Sequence, residues 1–179
     1  MVITRLVAQS VAIVCVCGAV AGCATGGGAV RPSPFPGSMD GRRVAESIVV
    51  PSGVVERALA LRGTPYRLGG EAPGTGLDCS GLVRHVFLAA GVAVPRTVTE
   101  QYAAGVRVDE AAMRPGDLVF FDTAVPGPSH VGIVIDRDTF VHAPGTGSVV
   151  RVDRLAAPYW TSRLRGIRRI GFIPDRAAR

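Results

Sequence analysis

Asp78-Cys79-Ser80-Gly81-Leu82-Val83 is the stretch on which the fold turns. Aspartate is a strong helix N-cap, and the apolar run after it reaches Ala90 before Gly91, a residue that commonly ends helices. The spacing predicts a helix from Cys79 to about Ala90 with Cys79 in its first turn. There the unpaired amides and the positive end of the helix dipole stabilise a thiolate and lower the thiol's pKa. Just upstream, Gly69-Gly70, Gly74 and Gly76 make a loop that another backbone or a substrate can approach closely. A purely structural cysteine would more naturally sit mid-helix. Cys79 therefore reads as a nucleophile, with a small buried hydrophobe as the alternative.

The other three cysteines have a different explanation. Cys15 and Cys17 lie in an apolar run, Leu6 to Val20, preceded by Arg5. The pattern reads as an export signal, because the run is shorter than the ~20 residues a spanning helix needs. Val20-Ala21-Gly22 before Cys23 looks like the lipobox of a bacterial lipoprotein precursor. The expectation is a signal peptide over 1–22, a lipidated Cys23 as the mature N-terminus, and attachment to a bacterial membrane. With Ala24 next, and no aspartate there, a Gram-negative cell would sort the protein to the outer membrane, facing the periplasm. Cys79 is then the one thiol left in an oxidising compartment, without a disulfide partner.

Of 179 residues, 47% are hydrophobic and 19% charged, globular values that exclude global disorder. The net charge of +6 comes from arginine alone, since the chain has no lysine. That charge suits an acidic polymer or a membrane surface. Export and the lack of aromatics interleaved with the arginines argue against a nucleic-acid partner. Gly26-Gly27-Gly28 and Pro32, Pro34 and Pro36 mark a flexible tether, assigned to 23–53 together with the lipidated end. One domain over 54–174 and a tail over 175–179 complete the layout. The residues show no internal repeat, and the expectation is a monomer without a separate binding module.

Val54 to Arg62 reads as a short amphipathic helix stopped by Gly63. Arg114-Pro115-Gly116-Asp117 is a turn into a strand, Leu118 to Phe121, and two more strands follow at His130 to Ile135 and Thr139 to Ala143. Asp136-Arg137-Asp138 would connect them as a hairpin. If Ile135 pairs with Thr139, Gly132 faces His142, and His130 lies on the same sheet face one diagonal step away, roughly 7 to 8 Å. A slip of one residue would send His142 to the other face. His85, six residues past Cys79, turns about 240° around the helix and leaves the site.

Cysteine hydrolysis needs a base for the thiol proton and a third group to hold the imidazole. Cys79, His130 and His142 supply those roles, and the Cys79 amide is placed to donate to an oxyanion. One cysteine and two histidines could also hold zinc, but there is no CxxC or HExxH spacing, so no metal and no cofactor is expected.

Pro65-Tyr66-Arg67-Leu68-Gly69-Gly70, the Asp78 to Val83 stretch, Pro95-Arg96-Thr97, Pro115-Gly116-Asp117-Leu118-Val119-Phe120-Phe121, Ser129-His130-Val131-Gly132-Ile133-Val134 and Phe140-Val141-His142-Ala143 together resemble the NlpC/P60 family. The resemblance runs from about Val54 to Ile173 and takes in Tyr159-Trp160 through Arg168-Arg169. It implies a papain-like α+β fold, with the nucleophile at a helix N-terminus packed on an antiparallel sheet that carries the histidine. It also implies Cys79 as nucleophile, His130 as base and His142 as orienting residue. Tyr66 matches a tyrosine that assists substrate or oxyanion binding. Asp78 and Ser80 match positions that recognise the free amine of a peptidoglycan stem peptide, although each has a local role open to it, as N-cap and as first-turn hydrogen bond. The implied reaction is hydrolysis of stem peptides, most often between the γ-carboxyl of D-glutamate and the following diamino acid. An amidase or acyltransferase built on the same three residues, and a non-catalytic wall-binding lipoprotein, are the alternatives. Leu68, where relatives often carry an aromatic residue, and the stiff loop Thr123 to Pro128 depart from the family pattern.

Overall fold

The computed structural model describes residues 41–173. The expected leader, the lipidated Cys23, the tether up to residue 40 and the tail 175–179 lie outside the described residues. Helices α1 (Gly41–Ser47) and α2 (Val54–Ala60) lead to a small hairpin, β1 (Glu71–Ala72) and β2 (Gly76–Leu77). Helix α3 (Cys79–Ala89) and helix α4 (Val98–Ala104) follow. Then come β3 (Val106–Val108), β4 (Leu118–Phe121), β5 (His130–Val134), β6 (Thr139–His142), β7 (Arg151–Arg154), helix α5 (Pro158–Thr161) and β8 (Leu164–Arg169).

The six-stranded sheet has the order β3-β8-β4-β5-β6-β7, and every pairing is antiparallel. Alternation along its strands gives it two apolar faces. Leu118 and Phe120 of β4, Val131 and Ile133 of β5, and Val141 of β6 pack against Val54 and Ala58 of α2 and Leu82, Val86 and Phe87 of α3. The intervening residues Val119, Phe121, Val134 and Phe140 turn the other way, onto Ala45 and Trp160. A sheet covered on both faces explains why β4 and β5 read as continuous apolar runs.

The tether expected as far as Gly53 does not include residues 41–53, which belong to the fold. Ala45 is buried, and Val49 pairs with Phe172 through main-chain hydrogen bonds in both directions, 2.9 and 3.2 Å. A seven-residue helix has little stability of its own. Its fastening is tertiary: Arg169, only 2% exposed, donates to the Ala45 carbonyl at 2.9 Å and to that of Ala112 at 3.0 Å. The same guanidinium grips the fully buried Asp117 through two hydrogen bonds of 2.6 and 2.7 Å. Asp117 also accepts from the Arg114 amide and so closes the turn into β4. One buried ion pair thus ties together the last strand, the entry to the central strand and α1.

Candidate active site

Asp78 has the extended backbone of an N-cap, and its Oδ1 accepts the Gly81 amide at 2.7 Å. Its Oδ2 accepts the Gly69 amide at 2.9 Å, and its own amide donates to the Gly70 carbonyl at 3.1 Å. The glycine loop is thereby held against the start of α3. A Cβ on Gly81 would collide with the Gly70 carbonyl, which accounts for the glycine in that motif. Gln101 is buried and donates from Nε2 to the carbonyls of Ser80 (3.0 Å) and Pro95 (2.8 Å), fixing the same turn from the other side.

Arg96 adds a charge that the sequence reading did not use, although its Pro-Arg-Thr context was visible. It donates to Asp78 Oδ1 (3.1 Å) and Oδ2 (2.6 Å) and to Ser80 Oγ (2.8 Å), while its Nε meets Glu71 at 2.7 Å. Burial alone would raise the Asp78 pKa, but Arg96 and the two amides outweigh it and hold the carboxyl below its usual range. Asp78 and Ser80 therefore fill both local roles foreseen for them. An incoming amine would have to share Asp78 with Arg96. Tyr66, partly buried, lies by the same cluster. Burial, then the negative charges of Cys79 and Asp78, push its phenol pKa up.

Cys79, partly exposed, opens α3 and approaches β5 at the Val131 amide, the peptide that joins Val131 to His130. Cys79 and His130 are not hydrogen-bonded to each other. The thiol pKa is pushed up to about 11, first by burial and then by the Asp78 charge, with the amides of Val131, Ser80 and Cys79 pulling the other way. This reverses the low pKa expected from the helix start. The dipole contributes at most ~2 kcal/mol even in favourable geometry, or about 1.5 pKa units, too little to offset packing against the sheet beside a carboxylate.

The histidines stand where the hairpin register puts them. The Ile135 amide donates to the Thr139 carbonyl at 3.0 Å, with Ile133 opposite Val141, and Asp136 Oδ1 closes the turn on the amides of Asp138 and Thr139, both at 2.8 Å. Gly132 then falls opposite His142, and a Cβ there would strike the Phe140 ring. His130 Nε2 and His142 Nδ1 are 2.8 Å apart and hydrogen-bonded to each other. Burial depresses both imidazoles: His130 to about 3, helped by its neighbour His142, and His142 to about 4, against the opposing pull of Asp153. At neutral pH both rings are uncharged. His85 is half-buried on α3 and takes no part in this cluster.

Two further residues complete the group. Asp153 Oδ2 lies 3.1 Å from His142 Nε2, approaching off the line of a straight hydrogen bond. Trp160 stacks on His130 with ring centroids 5.4 Å apart and donates from Nε1 to Asp153 Oδ2 at 3.0 Å. Trp160 lies within the C-terminal stretch that carries the family resemblance, whereas the only local signal for Asp153 is its alternation with Arg151 in a short strand-like segment. A cleft of about 340 Å³ opens beside His130, walled by Thr123, Pro144, Arg151, Asp153, Tyr159 and Trp160.

An antiparallel sheet met by the N-terminus of a cysteine-bearing helix, with paired histidines on adjoining strands, is the papain-like α+β arrangement. Residues 63–169 match the NlpC/P60 family model, and the chain belongs to that family. It is 41% identical over 118 residues to the gamma-DL-glutamyl hydrolase of Bacillus subtilis (strain 168), a match covering 65% of this chain and 28% of that protein. It is 37% identical over 128 residues to the murein DD-endopeptidase MepS/murein LD-carboxypeptidase of Escherichia coli (strain K12), covering 71% of this chain and 66% of that protein. Among solved structures, an NLP/P60-family protein from Staphylococcus aureus described as similar to lipoprotein superposes with a TM-score of 0.60. The two are 34% identical, the match covering 66% of this chain and 40% of that one. The chain thus spans less than a third of the Bacillus relative's length and about two thirds of the Escherichia one's.

Proposed function

We propose that this chain is a cysteine endopeptidase that hydrolyses peptidoglycan stem peptides at the bond between the γ-carboxyl of D-glutamate and the following diamino acid. It would act while lipid-anchored at Cys23 to a bacterial membrane, in a Gram-negative cell the outer membrane, facing the periplasm. The observation that carries the reading is the meeting of Cys79, at the first turn of α3, with the strand that starts at the bonded pair His130–His142. The Bacillus relative's name supports the γ-glutamyl bond, and the description of the staphylococcal structure supports the anchor.

In the resting site the thiol and the imidazole are both neutral, so proton transfer accompanies attack instead of preceding it. The Cys79 S–H gives its proton to His130 Nδ1 as sulfur bonds to the γ-carbonyl carbon. The oxyanion forms near the Cys79 amide. Collapse breaks the C–N bond, and His130 returns the proton to the leaving amine. Water, deprotonated by His130, then opens the thioester, and the thiolate regains its proton. No cofactor enters any step.

Defined stem peptides incubated with the protein and its Cys79→Ser variant, with products read by mass spectrometry, test the assignment. New fragments ending at D-glutamate from the unmodified protein alone are expected. Cleavage of a DD bond instead, the activity in the Escherichia relative's name, would move the assignment to a DD-endopeptidase. No cleavage of any stem peptide would reject it.

A further inference from the structure

His130, His142 and Asp153 form two successive diagonal steps across three neighbouring strands. Gly132 faces His142 on β6, while Phe140, two residues earlier, faces Asp153 on β7, so Asp153 is to His142 what His142 is to His130. All three lie on one face of the sheet, with Arg151, which pairs with His142, beside them. His142 is fully buried and His130 is 5% exposed.

Tautomers follow from proton counting. A neutral imidazole has one N–H and one lone pair, and an ionised carboxylate can only accept. Arg151 donates to both oxygens of Asp153, at 3.0 Å each, and Trp160 donates at 3.0 Å, which keeps Asp153 ionised. The His142 nitrogen facing it, Nε2, has no other partner among the described residues, and a lone pair turned onto a partly buried carboxylate would be repelled. So Nε2 bears the His142 proton and Nδ1 is the lone pair. Across the 2.8 Å contact, His130 Nε2 must then be the donor. That leaves the lone pair of His130 on Nδ1, the nitrogen with no hydrogen bond to any described residue. The opposite arrangement, with both protons on Nδ1, would present the thiol with an N–H where a base is needed.

We propose that Asp153 is a positioning residue that sets the tautomers of the histidine pair, making His130 Nδ1 the basic nitrogen. In this assignment Asp153 acts through His142, whose Nε2 it faces at 3.1 Å. The proposal rests on the reading of His130 as the base, but its direct readout requires no substrate, so an error in substrate assignment would not touch it.

Long-range ¹H–¹⁵N spectra of the ¹⁵N-labelled full chain at pH 7 report which nitrogen of each imidazole is protonated. Protons on Nε2 of both His130 and His142 are expected. A proton on His130 Nδ1 would overturn the proposal without any variant. In Asp153→Ala the His142 proton should spread to Nδ1. With stem peptide, kcat should fall by roughly 10- to 100-fold, as when outer partners of working histidines are removed, with KM changed less than about twofold. Trp160→Phe, which keeps the carboxylate, should leave both protons on Nε2. Unchanged tautomers and kcat in Asp153→Ala, or tautomers lost in Trp160→Phe alone, would mean that Asp153 only anchors its neighbours.

Discussion

The thiol of Cys79 should react slowly at neutral pH and faster as the solution becomes alkaline, although it begins a helix. With its pKa near 11, about one molecule in ten thousand carries a thiolate at pH 7. An ordinary cysteine, with a pKa near 8.5, is about 3% thiolate at the same pH. Cys79 should therefore be alkylated by iodoacetamide at pH 7 some 20- to 30-fold more slowly than a reference cysteine peptide in the same tube, the roughly 300-fold deficit in thiolate being offset about 10- to 18-fold by the greater nucleophilicity of a high-pKa thiolate. Its rate should climb about tenfold per pH unit, roughly a hundredfold from pH 7 to 9, while the reference levels off above about pH 8.5. Peptide-level mass spectrometry after timed quenching isolates Cys79 from the other cysteines. A thiolate paired with an imidazolium would behave differently, with a rate already high and flat from about pH 5. Such a plateau would refute the neutral resting pair and with it the concerted proton transfer.

Three other consequences are open to measurement. Asp117→Ala should destabilise the domain by about 3–5 kcal/mol in urea unfolding, because it strands the buried Arg169 charge, whereas the apolar double variant Asp117→Leu/Arg169→Met should be less damaging; a loss under about 1 kcal/mol would deny the pair its structural role. The histidine pair should make the fold acid-sensitive: with folded pKa values of about 3 and 4 against about 6.5 unfolded, the unfolded chain takes up protons first below pH 6.5, so stability is unaffected above that pH and declines beneath it. At pH 5 the deficit is about 2 kcal/mol per ring, or about 4 for the two, and equal unfolding free energies at pH 7 and pH 5 would contradict the buried neutral state. Gly81→Ala should lower the melting temperature and the activity together, since the added methyl meets the Gly70 carbonyl, at a cost of about 1–3 kcal/mol; unaltered melting would show that the loop yields freely.

What the sequence disclosed and what it withheld divide along the range of the forces involved. Asp78 announced α3 because capping is local, and the hairpin register followed from two short apolar runs and a three-residue connection, which was enough to bring His130 and His142 together. Asp153 was hidden because its neighbour on β6 is separated from it by a loop, and only the β6–β7 register makes it diagonal to His142. The alternation of Arg151 and Asp153 in a strand-like segment was the available signal. Helix α1 was read as tether since seven residues carry too little periodicity, and the contact that secures it comes from Arg169 in the last strand. The direction of the Cys79 pKa was misjudged for a related reason: a helix start is visible in sequence, but burial beside Asp78 is a property of the packed molecule.

The most direct test of the central claim is the intact and peptide-level mass of the protein quenched during turnover of a stem peptide. An acyl group ending at D-glutamate and attached to Cys79, absent from the Cys79→Ala variant that still folds and no longer cleaves, is the predicted result. Cleavage that persists in Cys79→Ala would contradict it.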